Sequence, residues 1–212
     1  MTSLTDIFSP LASSNLLEWF QDLNQLWHET GPIAPEDRQA SKGMTQWIHY
    51  HNYCLWHEED EARRSDVPDA YIVRAKRDID KHNQQRNDGI EKVDVWIDNV
   101  LSTAGIQPDE QVELNSETPG AIIDRLSILT LKIYHMEEQK ERPDLSDDLR
   151  NLCDLRRSIL HEQINDLARA LDKLFLDLRQ VKKRHKVYRQ FKMYNDPRFN
   201  PAVYLHRRDD LN

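Results

Sequence analysis

The stretch SDDLRNLCDLRRSILHEQINDLARALDKLFLDLRQV, at residues 146–181, decides the fold class. Its apolar residues recur with the period of one face of an α-helix over more than thirty residues. They are Leu149, Leu152, Leu160, Ile164, Leu167, Leu171, Leu174, Leu178 and Val181. A helix of about 38 residues is roughly 55 Å long, and it cannot bury so long a stripe alone. The sequence therefore predicts an all-α helical bundle in which other helices, or a second subunit, lie along this one.

Glycine and proline divide the rest of the chain into helices. Apart from Gly89, the 5 glycines and 9 prolines fall between stretches of helical periodicity, because both residues destabilise a helix interior. The predicted helices cover about 15–29, 44–64, 68–103, 119–142 and 146 onward. We expect one elongated domain of about five helices over residues 1–194, with one very long C-terminal helix, and an extended tail over residues 195–212.

Composition and charge narrow the class of protein. The 212 residues carry 29 Lys and Arg against 37 Asp and Glu, a net charge of −8. No window approaches the length of about 18 apolar residues that a membrane helix needs, and the first residues lack the pattern of a secretory signal. Cys54 and Cys153 stand far apart in the sequence, outside any C-x-x-C motif, which suits a reducing compartment. We expect a cytoplasmic protein without a membrane span.

Residues 178–195 form a basic aromatic segment. It contains seven basic residues and no acidic one, with Tyr188, Phe191 and Tyr194 interleaved. Such a segment can bind nucleic acid or an anionic membrane surface. The alternative is that it docks on the acidic remainder of its own chain or of a partner. We favour docking, and expect no nucleic-acid partner, because the strongly acidic remainder repels polyanions.

Polar residues on helix faces that should be apolar carry the functional signal, because burying them requires partners. They are His51, Glu58 and Glu61 in the second helix, Asn83, Arg86, Asn87 and Asp94 in the third, and Arg125 and Lys132 on the flank of the fourth. Gly89 lies beside those of the third helix, where a missing side chain permits close approach. We expect carboxylates from one helix and cationic groups from two others to converge between the helices.

Three interpretations fit such a convergence. The groups could be buried ion pairs that fix the register of the helices and add little net stability. They could hold a divalent cation through Glu58, Glu61 and Asp94, the metal-ligand set that the sequence suggests. They could instead hold an anion through Arg86 and Arg125.

The acidic spacing supports a specific form of the cation interpretation. Glu58-x-x-Glu61 and Glu91-x-x-Asp94 resemble the E-x-x-E and E-x-x-D pair of MazG-type all-helical nucleotide pyrophosphatases. The resemblance implies carboxylates that hold magnesium, which orients a water molecule for attack on a phosphoanhydride. However, Glu91 points about 100° away from the inferred inward face.

His57 offers a second route to a metal. With Asp60 or Glu61 it has the i, i+3 or i, i+4 spacing of half a metal site. The same spacing is common on an ordinary exposed helix surface, which we favour. The sequence contains no H-E-x-x-H motif, no Gly-rich phosphate loop and no G-x-S-x-G motif, so nothing supports nucleophilic catalysis.

Four strings together resemble one family over most of the chain. They are LWHEEDEAR at 55–63, NQQRNDGIEKVD at 83–94, LNSETPGAIIDRLSILTLKIYHM at 114–136, and VYRQFKMYND with the following NP within 187–201. They resemble the uncharacterised bacterial family called domain of unknown function 4254. The matched residues are His57, Glu59, Asp60, Arg63, Asn83, Arg86, Asn87, Asp94, Glu117, Thr118, Asp124, Arg125 and His135. Glu58 lies outside the matched pattern, which counts against the pyrophosphatase interpretation.

The resemblance implies a cytoplasmic, all-helical bacterial protein without an established activity, whose relatives often occur near glycosyltransferases of surface-polysaccharide pathways. We predict a ligand site formed by Asn83, Arg86, Asn87, Arg125, His57 and Asp60. The donors of Asn83, Arg86, Asn87 and Arg125 suit a phosphate, a carboxylate or a sugar nucleotide, with no cofactor, and the protein would be accessory to surface-glycan synthesis.

Two alternatives stand beside this prediction. One is a hydrolase that uses magnesium as its cofactor. The other is a structural protein that forms a homo-oligomer or docks a partner through its long C-terminal helix. The residues leave open whether any bond is broken.

Overall fold

The computed structural model describes residues 7–189 and 196–204, which form a bundle of five long helices. The helices are α1 (Ser13–Thr30), α2 (Ser41–Glu61), α3 (Asp69–Thr103), α4 (Pro119–Glu141), α5 (Asp147–Arg179) and the short α6 (Pro201–Tyr204), and a 3₁₀ turn at Ser9–Leu11 precedes them. The predicted all-α fold is confirmed, and the helices lie close to their predicted positions. The long C-terminal helix has 33 residues, and α3 is of similar length with 35.

The starts of α4 and α5 follow from their capping residues. Thr118 Oγ1 accepts a hydrogen bond from the Ala121 amide at 3.2 Å, with Pro119 in the first turn. At the other helix, Ser146 Oγ accepts from the Leu149 amide at 3.4 Å. These side chains satisfy amides that have no partner within the helix, so both helices begin where the sequence predicts.

The end of α5 has a Schellman motif with a valine in place of the usual glycine. The amide of Lys182 donates to Asp177 O at 2.9 Å, and the amide of Val181 donates to Leu178 O at 3.2 Å. Val181 adopts a φ of 56°, in the left-handed region. A β-branched residue is strained there, because its Cβ substituents crowd the backbone.

The core lies between the C-terminal half of α5 and the other long helices. In this half, Ile164, Leu171, Leu174 and Leu178 are buried among residues of α1, α3 and α4. In the N-terminal half, by contrast, Leu149 of the same stripe is exposed, at 50 % of the available surface. The stripe that decides the fold is therefore only partly covered by this chain, and self-association through α5 stays a prediction.

Close packing at two glycines joins α3 to its neighbours. A Cβ added to Gly89 would lie 2.9 Å from Trp47 Cδ1, so the expected close approach of α2 occurs there. A Cβ added to Gly120 would lie 2.7 Å from the backbone oxygen of Ile90. The N-terminal turn of α4 therefore rests directly on the backbone of α3.

Two short strands, β1 (Glu113–Leu114) and β2 (Lys183–Arg184), pair in parallel beside the bundle. Arg184 Nε donates to Val112 O at 3.0 Å, and Lys183 Nζ donates to Asn115 Oδ1 at 3.1 Å. The described part of the basic aromatic segment therefore docks on its own chain. Residues 190–195 of that segment, which include Phe191 and Tyr194, lie outside the described residues, as do residues 205–212 of the predicted tail.

Within 7–189 and 196–204, no helix is long and apolar enough to cross a membrane. Cys54 and Cys153 are both free thiols and half-buried.

Candidate functional site

A polar network links α2, α3 and α4 in the interior of the bundle. Asn52 Nδ2, on α2, donates to Asp124 Oδ1 at 2.8 Å and to Ser127 Oγ at 2.9 Å, both on α4. From α3, Arg86 Nη1 lies 3.4 Å from Asn52 Oδ1, and Arg86 Nε lies 3.8 Å from Asp124 Oδ1. Polar groups of three helices therefore converge at Arg86, but the carboxylate is Asp124 of α4 and the network contains one cationic residue instead of the expected cationic groups from two helices.

The guanidinium of Arg86 is held in place but not saturated. Its side chain is 24 % exposed, and Nε has no hydrogen-bond partner among the described residues. Burial raises the pKa of Asp124 above its ordinary value, against the opposing effects of Arg86 and Asn52. A guanidinium carries five donors, so Arg86 retains donors that can bind another group.

Arg86 lies in the wall of a cleft between α2, α3 and α4, with a cavity of about 340 Å³. Its polar lining consists of Asn52, Glu59, Asp60, Arg63, Asn83 and Arg86, and Leu55, Ile128 and Leu131 supply apolar walls. A second cavity of about 440 Å³ shares Trp56 and Asp60 with this cleft and extends along α4 toward α5. Cavities of this size, with apolar walls and a few polar groups, suit small ligands.

The structure places the predicted ligand residues in different environments. Asn83, Arg86 and Asp60 line the cleft together. Arg125 is instead 52 % exposed and forms a surface ion pair with Glu117, at 2.6 Å between Nη1 and Oε1. Asn87 is half-buried on α3 and is not among the residues that line the cleft.

The predicted magnesium ligands are not brought together. Glu58 and Glu61 lie in a small surface cavity at the end of α2, where Glu61 accepts from the hydroxyl of Tyr71 at 2.6 Å. Asp94 is buried far along α3 and accepts from the Gly120 amide at 2.7 Å, at the start of α4. It therefore caps a helix, since a carboxylate there satisfies a free amide and favours the positive end of the helix dipole. Burial raises the pKa of Asp94.

Three histidines from three helices meet beside the cleft. His28 on α1, His57 on α2 and His135 on α4 each offer one ring nitrogen within 4.8 Å of the others. Burial lowers the pKa of His57, and the neighbouring rings of His135 and His28 lower it further. Burial also lowers the pKa of His135, against the opposing effect of Glu138. Neutral imidazoles are the form that binds a metal ion.

Two other buried histidines complete the polar interior. His49 stacks between Phe20 and Trp27, and its Nδ1 lies 2.8 Å from Ser127 Oγ. Burial lowers the pKa of His49 to about 3. His51 pairs with His82 across the α2–α3 interface, with 2.8 Å between the two Nδ1 atoms. These histidines are neutral packing residues near neutral pH.

Sequence reasoning missed two features of this region. It selected Arg125 where Asp124, one residue earlier, faces inward, and no composition signal distinguishes the two. It also missed His28, because a cluster assembled from three separate helices leaves no spacing motif in the chain. The only signal was indirect, since His57 and His135 both occur in the strings that resemble the family.

Comparison with known proteins identifies the family of this chain. A family model described as protein of unknown function (DUF4254) matches residues 44–187, from α2 through β2. This match includes Asn52, Arg86, Asp124, His57 and His135, whereas His28 precedes it. Searches of curated proteins and of solved structures found no match. Because the family model covers more than half of the chain, the protein belongs to the DUF4254 family.

Proposed function

We propose that this protein binds a small anionic ligand that also carries hydroxyl groups, such as a sugar phosphate or a sugar nucleotide, in the cleft between α2, α3 and α4. One observation carries the proposal. Arg86 lies in the cleft wall, fixed by Asp124 and Asn52, and 24 % of its side chain remains exposed.

The fixed position of Arg86 favours binding. Immobilising a long side chain costs conformational entropy, and a guanidinium that is already held in place loses less of it when a ligand arrives. Its remaining donors match phosphate or carboxylate oxygens, which form charge-assisted hydrogen bonds with arginine. Asp124 offsets part of the positive charge, so the cleft is suited to a ligand with one or two anionic groups rather than to a polyanion.

The other lining residues suit hydroxyl groups and a ring. Glu59 and Asp60 accept hydrogen bonds, and the amide of Asn83 both donates and accepts them, as sugar hydroxyls require. Trp56 lines both cavities and presents an aromatic surface, against which a ring can stack. The surface-glycan setting that the family resemblance implies makes sugar nucleotides the first compounds to test.

The magnesium-dependent alternative lacks this support, because Glu58 and Glu61 lie at the C-terminal end of α2, whereas Asp94 lies far along α3, against the start of α4. The proposal therefore concerns binding and assigns no reaction.

Isothermal titration calorimetry with inorganic phosphate, nucleoside diphosphates and nucleoside diphosphate sugars tests the proposal. We expect at least one nucleoside diphosphate sugar to bind more tightly than phosphate. Arg86→Gln should weaken that binding by about tenfold or more, since a charge-assisted hydrogen bond is lost. Arg125→Gln removes the same charge from the exposed face of α4 and serves as the matched control. Equal binding to both variants, or no binding of any compound, would rule out the assigned site.

A further inference from the structure

We propose that His28, His57 and His135 form a binding site for one divalent transition-metal ion of the zinc class. The site is separate from the anion cleft, and its evidence does not depend on the proposed ligand. It draws one imidazole from each of α1, α2 and α4.

The distances are those of a site that closes around an ion. One ring nitrogen of each histidine lies within 4.8 Å of the others. Zinc–nitrogen bonds of about 2.0–2.1 Å place the nitrogens of a tetrahedral site about 3.3 Å apart. Movements of the rings by about 1.5 Å or less are therefore sufficient to bring all three nitrogens to an ion, and side-chain rotations alone supply shifts of this size.

The hydrogen bonds of two of the three rings, His28 and His135, leave Nε2 as the atom available to a metal ion. His28 Nδ1 lies 2.6 Å from Asn24 O, and His135 Nδ1 lies 2.7 Å from Glu138 Oε2. A carbonyl and a carboxylate only accept hydrogen bonds, so each Nδ1 carries the proton and each Nε2 keeps its lone pair. A histidine that binds a metal through one nitrogen typically donates from the other to a carbonyl or carboxylate in the same way.

The three Nε2 atoms also lack any other role. Nε2 of His28, of His57 and of His135 is buried and has no hydrogen-bond partner among the described residues. Buried polar atoms in folded proteins are nearly always paired, so three unpaired atoms in one cluster require an explanation. A metal ion satisfies all three at once.

Aromatic neighbours restrict the tilt of two of the rings. His28 stacks on Tyr134, with ring centroids 4.0 Å apart, and His135 stacks on Trp56 at 4.5 Å. Restricted rings lose little entropy when an ion binds, as in the preorganised sites of natural metalloproteins. His135 also lines the cavity of about 440 Å³, so a molecule in that cavity would lie beside the ion.

The ligand set selects the class of metal. Three neutral imidazoles without a thiolate suit Zn²⁺, Cu²⁺, Ni²⁺ or Fe²⁺, whereas Mg²⁺ and Ca²⁺ require mainly oxygen ligands. Three protein ligands leave at least one coordination position for water or another molecule. We therefore expect zinc, and not magnesium, to bind at this cluster.

Titration of the metal-free full-length protein with ZnCl₂ tests the site, with bound metal counted by mass spectrometry after dialysis. We expect one equivalent of zinc to remain bound at micromolar free zinc, and magnesium not to displace it. The cobalt-substituted protein should show the intense visible absorption of four-coordinate Co²⁺. His135→Gln should lower zinc affinity by more than a hundredfold, and circular dichroism will show whether that variant folds.

A second variant keeps the test decisive if His135→Gln does not fold. Glu138 is exposed, so Glu138→Gln leaves the core intact and removes only the charge that holds His135 Nδ1. It should weaken zinc binding by about 10–100-fold. Glu141→Gln, an exposed change on the same helix, is the matched control and should leave the affinity unchanged. Loss of all zinc from the wild type on dialysis, or equal affinity of the Glu138→Gln and Glu141→Gln variants, would overturn the proposal.

Discussion

Arg86 Nε lies 3.8 Å from Asp124 Oδ1, in the wall of the cleft between α2, α3 and α4. The carboxylate is buried and also accepts from Asn52 at 2.8 Å. Two helices thus position one guanidinium of a third. Under the proposed function, stability and ligand binding would depend on the same three side chains. Substitutions can distinguish this network from the surface ion pair of the adjacent Arg125.

Asp124→Ala should lower the free energy of unfolding by about 2 kcal/mol, because it leaves Arg86 and Asn52 without their shared partner. The loss is smaller than for a fully buried pair, since Arg86 keeps some contact with solvent. Urea denaturation measures it. Arg125→Ala, at the next position, breaks only a surface pair and should change stability by less than about 0.5 kcal/mol. Similar losses in both variants would contradict the inward position of Asp124.

Val181→Gly should stabilise the protein by about 1 kcal/mol, because it relieves a β-branched residue from the left-handed conformation at the end of α5. Val181 is 41 % exposed, so only part of its side chain is removed from packed surroundings. Thermal and urea unfolding provide the measurement. The neighbouring Gln180 has a φ of −90° and gains nothing from glycine. An equal or greater gain from Gln180→Gly would show that strain at Val181 is not the cause.

Gly120→Ala should lower the free energy of unfolding by about 2 kcal/mol, since its Cβ would lie 2.7 Å from the backbone oxygen of Ile90. Gly89→Ala should have a smaller effect, because its Cβ meets the side chain of Trp47, which can tilt. Alanine also favours a helix interior over glycine by about 1 kcal/mol. Denaturant unfolding of the two variants side by side checks the order, and a greater loss at Gly89 would refute this account of the contacts.

Stability should decrease as the pH falls from about 6.5 toward 3. Burial lowers the pKa of His49 to about 3 from 6.5, so the unfolded chain binds a proton in this range that the folded chain does not. Each such histidine contributes a slope of about 1.4 kcal/mol per pH unit below the unfolded pKa and none above it. Burial, together with the charges of His82, Arg38, Lys81 and Arg86, also lowers the pKa of His51 to about 3.

Denaturant unfolding between pH 4 and 7 measures this dependence. His49→Gln keeps a polar side chain but removes the titrating group. The free energy of unfolding of this variant should therefore fall less steeply with decreasing pH, by about 1.4 kcal/mol per pH unit. Asp124 lies close to His49 and titrates in both the wild type and the His49→Gln variant. Its contribution to the pH dependence therefore cancels when the two proteins are compared. An unchanged slope in His49→Gln would assign the pH dependence to other groups.

The helices could be predicted from sequence because their signals are local. Thr118 and Ser146 cap helices in the way that their side chains permit, and the stripe of α5 reports a face by its spacing alone. The inward position of Arg86 followed from the same spacing. The spacing of apolar residues in the sequence indicates the direction in which each side chain points around its own helix axis.

The contacts between helices could not be predicted, because they depend on how far along each axis the partners lie. Glu58, Glu61 and Asp94 occupy plausible faces, yet α2 and α3 meet at Trp47 and Gly89, which leaves Asp94 beyond the reach of the two glutamates. The histidine cluster illustrates the same point, since its members come from three helices and share no motif. Asp124 and Arg125 differ instead in direction, because adjacent residues of a helix point about 100° apart, and only Asp124 faces the interior.

The pairing of β1 with β2 joins the segment before α4 to the segment after α5, so residues 113 to 184 form a loop closed by backbone hydrogen bonds. The strand pair thereby holds together the start of α4 and the end of α5. These are the ends of the α4–α5 hairpin that no loop connects and that would otherwise separate most easily. A protein shortened just after Arg179 would keep every long helix and lose the β1–β2 pairing. Fraying would then begin at the joint that supports Asp94, Gly120 and the first turn of α4, and would spread from there toward Asp124.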